Sequence, residues 1–479
     1  MTVTNEKELD QLVERVAKAQ AQYANFSQEQ VDVIFRAAAL AALAKPACEK
    51  NIPQIERIQQ QGELIVATTV YIDVQGKESF EYDLVTAFAK EIGVSVRFVF
   101  LKDISHLLAD TKHAKVHMAA AGLTDTLKRR QTLRFSRPYQ STTEKLVYRR
   151  GDQRPKSLAD IPIQTLQIVA DAGYAETLEN ARKQHPKLSW HSVADTDVDS
   201  LLQSVDRGDT RYTVANANDF AIAEQKYYYL RAAFDFGEEK KLAWAFPLPG
   251  DDSLLVAANH FLEKAEKSGL LKRLIERYYG HTERLNFVDK RAFRRHMRER
   301  LPKYRTFFEE VAQNTSLDWQ LLAAIGYQES HWRADAISPT GVGGIMMLTL
   351  DTAQQVKIKD RMDAQQSIVG SARYLRILAK KIPQRIQDPD HLWFTLASYN
   401  VGYGHLEDAR ILTARQGGNP DLWVEVKTRL PLLSEREYYA DLKYGYARGQ
   451  EPVAYVENIR NYYDLLVWYS KNPDALYQE

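Results

Sequence analysis

Near residue 290 the hydrophobic repeat of this chain changes kind, and that switch constrains the fold more than any other feature of the sequence. Between Pro46 and about residue 282, short β-rich runs alternate with amphipathic helical stretches. Residues 64–68 and 94–100 have the composition of strands, and residues 80–91 place Phe80, Leu84, Val85 and Phe88 on one helical face between them. The alternation continues through residues 167–171, 212–216 and 241–246, the texture of an α/β sandwich. Beyond the switch, residues 319–329, 364–380, 392–399 and 453–469 read as helices, and strand signals fade. The fold class is therefore multidomain, an α/β domain followed by a mainly α domain.

The 479 residues exceed a single-domain allotment about threefold, which agrees with that division. Lys and Arg total 64 against 63 Asp and Glu, so the near-neutral chain is not a strongly basic nucleic-acid binder, and no nucleic-acid partner is expected. No run approaches the roughly 20 apolar residues of a spanning helix. Cys48 is the single cysteine, so no intrachain disulfide can form.

Residues 5–44 read as helix, with Leu9, Leu12, Val13 and Val16 in register, then Val31, Ile34, Phe35 and Leu40 after a break where Ser27 and Gln30 suit a capping box. Glu6, Lys7, Glu8 and Asp10 stand where a secretory signal would need a basic start and an apolar run, so a signal is not expected here. Through Val3-Thr4-Asn5, Leu12-Val13-Glu14-Arg15-Val16 and Gln28-Glu29-Gln30-Val31-Asp32, the segment resembles the N-terminus of bifunctional aldehyde–alcohol dehydrogenases. None of that family's cofactor motifs follows, and residues 1–47 are read as a fused helical leader.

In the α/β part, Leu64-Ile65-Val66-Ala67-Thr68, Phe80-Glu81-Tyr82-Asp83-Leu84, Gly122-Leu123-Thr124 with Arg129, and Phe135-Ser136-Arg137-Pro138-Tyr139 follow in order. The series resembles the periplasmic solute-binding proteins of the polar amino-acid type. That resemblance implies two α/β lobes closing on a small ligand over residues 48–285, with Thr124 and Arg129 holding its carboxylate. A guanidinium fork suits a carboxylate, which is why Arg rather than Lys is expected there. The alternative for Arg129, flanked by Lys128 and Arg130, is a solvated basic face. Counting eight residues from Gly208, where the family places an Asp for an α-ammonium, gives the neutral Asn216, which argues against a free α-amino acid.

In the helical part, Gln328-Glu329-Ser330-His331-Trp332 ends the apolar helix that holds Leu321, Leu322 and Ile325. A Glu backed by apolar side chains can be held protonated as a general acid, which a glycosidic oxygen needs in order to leave. A Gly-rich turn from Ser338 through Gly343-Gly344-Ile345-Met346-Met347 follows, then Ala397-Ser398-Tyr399-Asn400-Val401-Gly402, then Tyr455-Val456-Glu457-Asn458-Ile459. In this order they resemble the lytic murein transglycosylases with a goose-lysozyme-like fold, here over residues 286–479. Residues 429–434 and 444–449, behind a solute-binding domain, narrow the likeness to the membrane-bound F type of that family.

The resemblance implies Glu329 as the catalytic acid and base, with Ser330, Gly344, Met346, Met347, Tyr399 and Asn400 binding substrate. It further implies the substrate's own acetamido group in place of a second carboxylate, and Glu457 as a structural group. Asp335 and Asp351 are read as surface carboxylates rather than that second group. The tandem Gly343-Gly344 departs from the related pattern and suggests a more mobile turn.

His113 and His117, four apart, lack a third ligand, so no metal is expected. The absence of P-loop, dinucleotide and Gly-x-Ser-x-Gly patterns leaves no cofactor implied. Arg291, Arg294, Arg295, Arg298, Arg300, Lys303 and Arg305 read as a solvated helix face, with contact to anionic peptidoglycan or lipid as the alternative. The expected partners are peptidoglycan glycan strands, a small cell-wall-derived ligand (a muropeptide or peptide) in the first domain, and the outer membrane. Cys48 falls where a lipoprotein's acylated cysteine would, although Lys45-Pro46-Ala47 is a poor lipobox. A periplasmic, outer-membrane-anchored natural protein is expected, and a soluble polypeptide as written. The rival reading is a non-catalytic glycan-binding sensor.

Overall fold

Strand β1 (Glu63–Thr69) buries Leu64, Val66 and Ala67 completely, as a strand in the middle of a covered sheet must. It belongs to a computed structural model that describes residues 52–69, 79–282, 287–339 and 341–477, together with Ser27, Gln28 and Val33. The leader's helical pattern, Cys48 and Thr340 therefore lie outside the described residues. Two compact units result, residues 1–62 with 251–254, and residues 63–250 with 255–479. In the smaller, α1 (Gln54–Gln61) has its first amides capped by Asp251 Oδ1 at 3.2 Å and Ser253 Oγ at 3.1 Å.

The larger unit opens with the expected β-α-β pattern. Strands β1 and β2 (Ser95–Leu101) flank α2 (Phe80–Glu91), whose Phe80, Leu84, Val85 and Phe88 are all buried. Helix α3 (Ile104–Lys112) leads to β3 (Met118–Ala119); the short α4 (Leu127–Arg130) leads to β4 (Leu133–Phe135). With β10 (Ala245–Pro247) these make a five-stranded sheet ordered β2-β1-β3-β10-β4, parallel except at β10.

The second lobe holds β5 (Gln140–Arg149), β6 (Leu166–Val169), α5 (Tyr174–Arg182), β7 (Trp190–Val193), α6 (Val198–Arg207), β8 (Tyr212–Asn216), α7 (Ala217–Lys226) and β9 (Leu230–Leu242). Its sheet is ordered β7-β6-β8-β5-β9. The chain crosses between lobes twice, from β4 to β5 and from β9 back to β10, which makes a two-strand hinge. Glu81 sits at that hinge, accepting from the Tyr139 hydroxyl, Gly122 N (2.8 Å) and Trp244 Nε1 (3.1 Å). Burial holds its carboxyl above the usual range.

Helices α8 (Ser253–Lys267) and α9 (Leu270–Tyr279) end this α/β part. The helical part runs through α10 (Phe287–Glu299), α11 (Arg305–Thr315), α12 (Trp319–Ser330), α13 (Leu350–Gln355), α14 (Ala364–Ala379), α15 (Asp390–Val401), α16 (Tyr403–Arg415), α17 (Trp423–Val426), α18 (Arg436–Tyr439) and α19 (Gln450–Lys471). Residues 321–327 of α12 are buried without a break, so the helix is apolar all round and runs through the core. At Gly326 a Cβ would lie 3.1 Å from both Met346 Sδ and the Phe308 ring, so α12 packs there as closely as a helix can.

A polar seam joins the two parts. Arg460 of α19 donates to Glu276 Oε1 (2.8 Å) and to the Glu276 carbonyl (2.6 Å), and lies 4.1 Å over the Trp393 ring. Lys427 meets the other Glu276 oxygen at 2.8 Å, and His281 Nε2 lies 2.6 Å from Asp464 Oδ2. Nothing in the sequence marks the charged partners, because Arg460 and Lys427 each lie more than 140 residues from Glu276, and His281 as far from Asp464.

Candidate active site

Helix α12 stops one residue past Glu329 because His331 and Trp332 both take left-handed conformations, at φ 52° and 55°. Two such non-glycine residues in succession are strained, and the surroundings must hold them. The Trp332 indole is buried and donates to Ala323 O at 2.8 Å, and Arg300 Nη1 donates to His331 O at 2.9 Å. The helix end is thereby fixed, and with it the position of Glu329.

The Glu329 carboxyl lies beside Tyr455 and Tyr399. Desolvation pushes it up to about 7, although the Tyr455 hydroxyl, donating to Oε1 at 2.6 Å, pulls the other way. Burial is the larger effect. Tyr455 comes from α19, and its ring stacks on Tyr399 of α15 at 6.3 Å and 14°. The Tyr399 hydroxyl lies 3.1 Å from both Met346 O and Ser371 Oγ, so it ties α15 to the Gly-rich turn and to α14. Asn400, next in sequence, is exposed.

Two of the residues expected to bind substrate do other work. Ser330 is 3% exposed; its hydroxyl faces the carbonyls of Ile345 (2.8 Å) and Gly326 (3.2 Å) and accepts from Arg333 N (3.0 Å), so it clamps the turn to α12. The Met346 side chain is fully buried, and only its backbone faces Tyr399. Met347 is half-buried at φ 47°. Nor does the glycine tandem form slack chain, since Gly343 and Leu348 exchange backbone hydrogen bonds at 3.3 and 3.1 Å and Gly344 N donates to Ala336 O at 3.0 Å.

Gly344 has φ +84° and a Cβ there would lie 1.9 Å from Arg361 O. Gly344→Ala is therefore expected to cost more than about 2 kcal/mol and to lower turnover as the turn shifts, read by thermal melt and by muropeptide release. Asp335 and Asp351 are both exposed, as expected of surface carboxylates. Glu457 is buried, with Lys427 Nζ 3.4 Å from its Oε1, a structural pairing.

In the α/β part Arg129 is 9% exposed, not a member of a solvated basic face. Its Nη1 donates to Thr124 O (2.9 Å) and Oγ1 (3.0 Å), and Nη2 reaches across the cleft to Asp171 O at 2.9 Å. Burial lowers its pKa to about 10. The interlobe cavity, about 120 Å³, is walled by Phe80, Tyr139, Tyr174 and Tyr278 and also takes in Asn216 and Asp219. Asn216 Oδ1 is buried without a partner, and desolvation with the nearby Asp199 charge pushes Asp219 up to about 7.

His113 and His117 do not share a site: the first lies 2.8 Å from Ala109 O, and the second accepts Ile65 N at 3.0 Å. Among the described residues one group, Asp103, His106 and Asp195, brings metal-type ligand atoms within 4.8 Å, but Lys102 already neutralises Asp195 at 3.0 Å.

With this geometry in place, the comparisons fit it part by part. Residues 68–281 match the family model of bacterial extracellular solute-binding proteins, family 3, and residues 306–420 match the transglycosylase SLT domain. The membrane-bound lytic murein transglycosylase F of Saccharophagus degradans is 41% identical over 434 residues, covering 89% of this chain and 87% of that protein. Its counterpart F 1 from Alkalilimnicola ehrlichii is 44% identical over 418 residues, covering 86% and 85%. The chain belongs to the membrane-bound lytic murein transglycosylase F family. Among solved structures, an ancestral arginine-binding protein bound to arginine is similar at 22% identity, covering 46% of this chain and 98% of that one at TM-score 0.41.

Tyr455 was not singled out in the sequence as a site residue. A tyrosine at the start of a long amphipathic helix has no local mark of function, and its link to Glu329 spans 126 residues. Asp219 escaped for a different reason: it stands three residues past the position that family spacing points to.

Proposed function

We propose that this transglycosylase cleaves the β-1,4 bond between N-acetylmuramic acid and N-acetylglucosamine without water, with Glu329 as both acid and base. The observation that carries the reading is a carboxyl with pKa about 7 at a fixed helix end, bonded by Tyr455. In the first step Glu329 gives its proton to the glycosidic oxygen, and the bond from that oxygen to the muramoyl C1 breaks. The substrate's 2-acetamido oxygen stabilises the cationic carbon. Glu329, now a carboxylate, takes the proton of the C6 hydroxyl as O6 bonds to C1, which closes a 1,6-anhydro ring and restores the acid. Water is not consumed, and no second carboxylate is required.

Mass spectrometry of muropeptides released from sacculi tests this directly. Products about 18 mass units below the hydrolytic ones support it. Reducing-end products would make the protein a lysozyme, and bound sacculi without release would make it a glycan-binding sensor.

The acid must be protonated first, so turnover falls as pH rises through about 7. Tyr455 favours the charged form. Tyr455→Phe is therefore expected to raise the Glu329 pKa and move the alkaline limb of the pH–rate profile upward by about half to one unit. An unmoved limb would mean that Tyr455 has no hold on the acid.

We further infer that residues 48–285 sense a small cell-wall-derived ligand, a muropeptide or peptide, and regulate residues 286–479. Arg129 and Thr124 would take its carboxylate, and Asp219 would stand in for the acid that Asn216 lacks. The seam from α9 to α19 supplies the physical route, because α19 also carries Tyr455. Turnover of sacculi with and without added tetrapeptide is expected to differ in the parent chain and to become equal in Arg129→Ala; equal turnover in the parent would remove the regulation. No helix among the described residues is long and apolar enough to cross a membrane. A periplasmic setting at the outer membrane for the natural protein is part of the same proposal.

A further inference from the structure

The helical part is bonded to both lobes, and by different kinds of bond. Helix α9 goes with the first lobe, since Arg277 Nη1 and the Tyr278 hydroxyl both reach Asp83 of α2 at 2.8 Å. Beyond the Glu276 and His281 pairs of the seam, it adds Arg273 Nε at 3.2 Å from Asp390 of α15 and Lys272 Nζ at 3.3 Å from Glu425 of α17. The second lobe reaches the same body through α7. There Gln225 Nε2 donates to Asn461 Oδ1 at 2.9 Å, and the Glu224 carbonyl accepts Lys290 Nζ of α10 at 2.8 Å. The first set is ionic, whereas these two bonds are made to neutral acceptors.

Asn461 stands where the two sets meet. It is 2% exposed, and its amide serves both lobes at once: Oδ1 takes the Gln225 donor, while Nδ2 donates to the His281 carbonyl just past α9 at 2.6 Å and to Glu457 O at 2.9 Å within α19. It lies six residues beyond Tyr455, less than two turns along the same helix. Helix α7, for its part, begins at the interlobe cavity, where Asn218, Asp219 and Ile222 form part of the wall, and carries Gln225 at its other end. One short helix thus runs from the cleft to Asn461.

The cleft is held shut by Lys102 Nζ on Asp195 at 3.0 Å and Ser105 Oγ on Asp171 at 2.7 Å. When two lobes swing apart on a hinge, a body bonded to both must release one of them. Breaking a buried ion pair costs more than breaking a hydrogen bond between neutral amides, so the second lobe is the one released.

We propose that Asn461 is a positioning residue that reads closure of the lobes: as they part, Gln225 withdraws, the Asn461 carbonyl loses its donor, and α19 shifts Tyr455 off Glu329. This deepens, and rests on, the regulatory reading above. An amide oxygen left buried without a donor is unfavourable, so the turn of α19 around Asn461 moves to regain one. Closure then holds the acid in place, and opening slackens it.

The test needs no ligand and reads the alkaline limb of the pH–rate profile for muropeptide release by the full chain. The titratable groups beside the Glu329 carboxyl are Tyr455 and Tyr399, so the limb reports on the Tyr455 contact. Gln225→Met keeps the length of the side chain and removes its donor. It is expected to raise the limb by about 0.5 in pH and to add nothing to Tyr455→Phe, because both lose the same bond. Lys102→Glu puts a carboxylate against Asp195 at an exposed site. It is expected to enlarge the radius of gyration in small-angle scattering and to raise the limb likewise, with no further rise in the Gln225→Met background. An unmoved limb in Gln225→Met despite a lower melt would overturn the proposal and leave the amide pair a fastener only. So would opened lobes in Lys102→Glu with an unmoved limb, or a Gln225→Met shift that adds in full to that of Tyr455→Phe. The effect of tetrapeptide on the parent chain and the mass of its products, measured in parallel, report on the regulatory and catalytic readings separately.

Discussion

Glu329→Gln is expected to lower turnover of sacculi by about 10²- to 10⁴-fold, the range for removing a positioned general acid. The larger end of that range is expected because one carboxyl serves both proton transfers, and a carboxamide can neither give the first proton nor take the second. Gln matches the shape and still accepts the Tyr455 hydroxyl, so the stack of Tyr455 on Tyr399 and the clamp of Ser330 on the turn should persist. Sacculus binding should therefore stay within about twofold of the parent while anhydro products vanish. A variant that keeps anhydro products at near-parental rates would show that the acid is elsewhere. Retained release of reducing-end products alone would mean that a water pathway had been running beside the main one.

How far the sequence could anticipate this site depends on whether a residue's partner was near it in the chain. The helix-end setting of Glu329 was legible because its cause is local: an apolar helix that ends on a carboxylate is visible in residues 321–329. The β-α-β start and the change to helices near residue 290 were legible for the same reason, since a hydrophobic period is a property of a short window. Ser330 was misread as a substrate contact because adjacency to a catalytic residue does not say which way the side chain turns. In a helix, Ser330 points about 100° away from Glu329, toward Gly326 and the Gly-rich turn. Met346 was misread likewise, its exposed-looking loop being a turn folded onto α12 with the side chain inside. Arg129 could not be settled between ligand contact and surface from spacing alone, because its burial is produced by the opposite lobe, through Asp171 O. Tyr455, Arg460 and Glu276 were beyond sequence reasoning, as each acts on a residue brought close only by the packing of whole helices.

Arg460→Met is expected to destabilise the chain by about 3–5 kcal/mol, the penalty for leaving a buried charge without its partner. Glu276 and Arg460 are 4% and 7% exposed, and two of the three Arg460 bonds go to Glu276 itself. Lys427 would remain on Glu276 Oε2, but it is shared with Glu457, so two carboxylates are left to one ammonium. The backbone around Glu276 is shaped for its carboxyl, since a Cβ on Gly280 would lie 2.2 Å from Oε2, and Met cannot refill that arrangement with donors. Glu276→Gln in the Arg460→Met background removes the orphaned charge and is expected to recover about half of the loss, a coupling that a double-mutant cycle by urea unfolding would read. Because Arg460 lies five residues beyond Tyr455 on α19, the single variant is also expected to loosen the Tyr455 hydroxyl from Glu329. That makes a readout that lost stability alone would not give: the alkaline limb of the pH–rate profile should rise in Arg460→Met, as in Tyr455→Phe, and return in the double variant. A destabilised chain with an unmoved limb would mean that the seam fastens the two parts without reaching the acid.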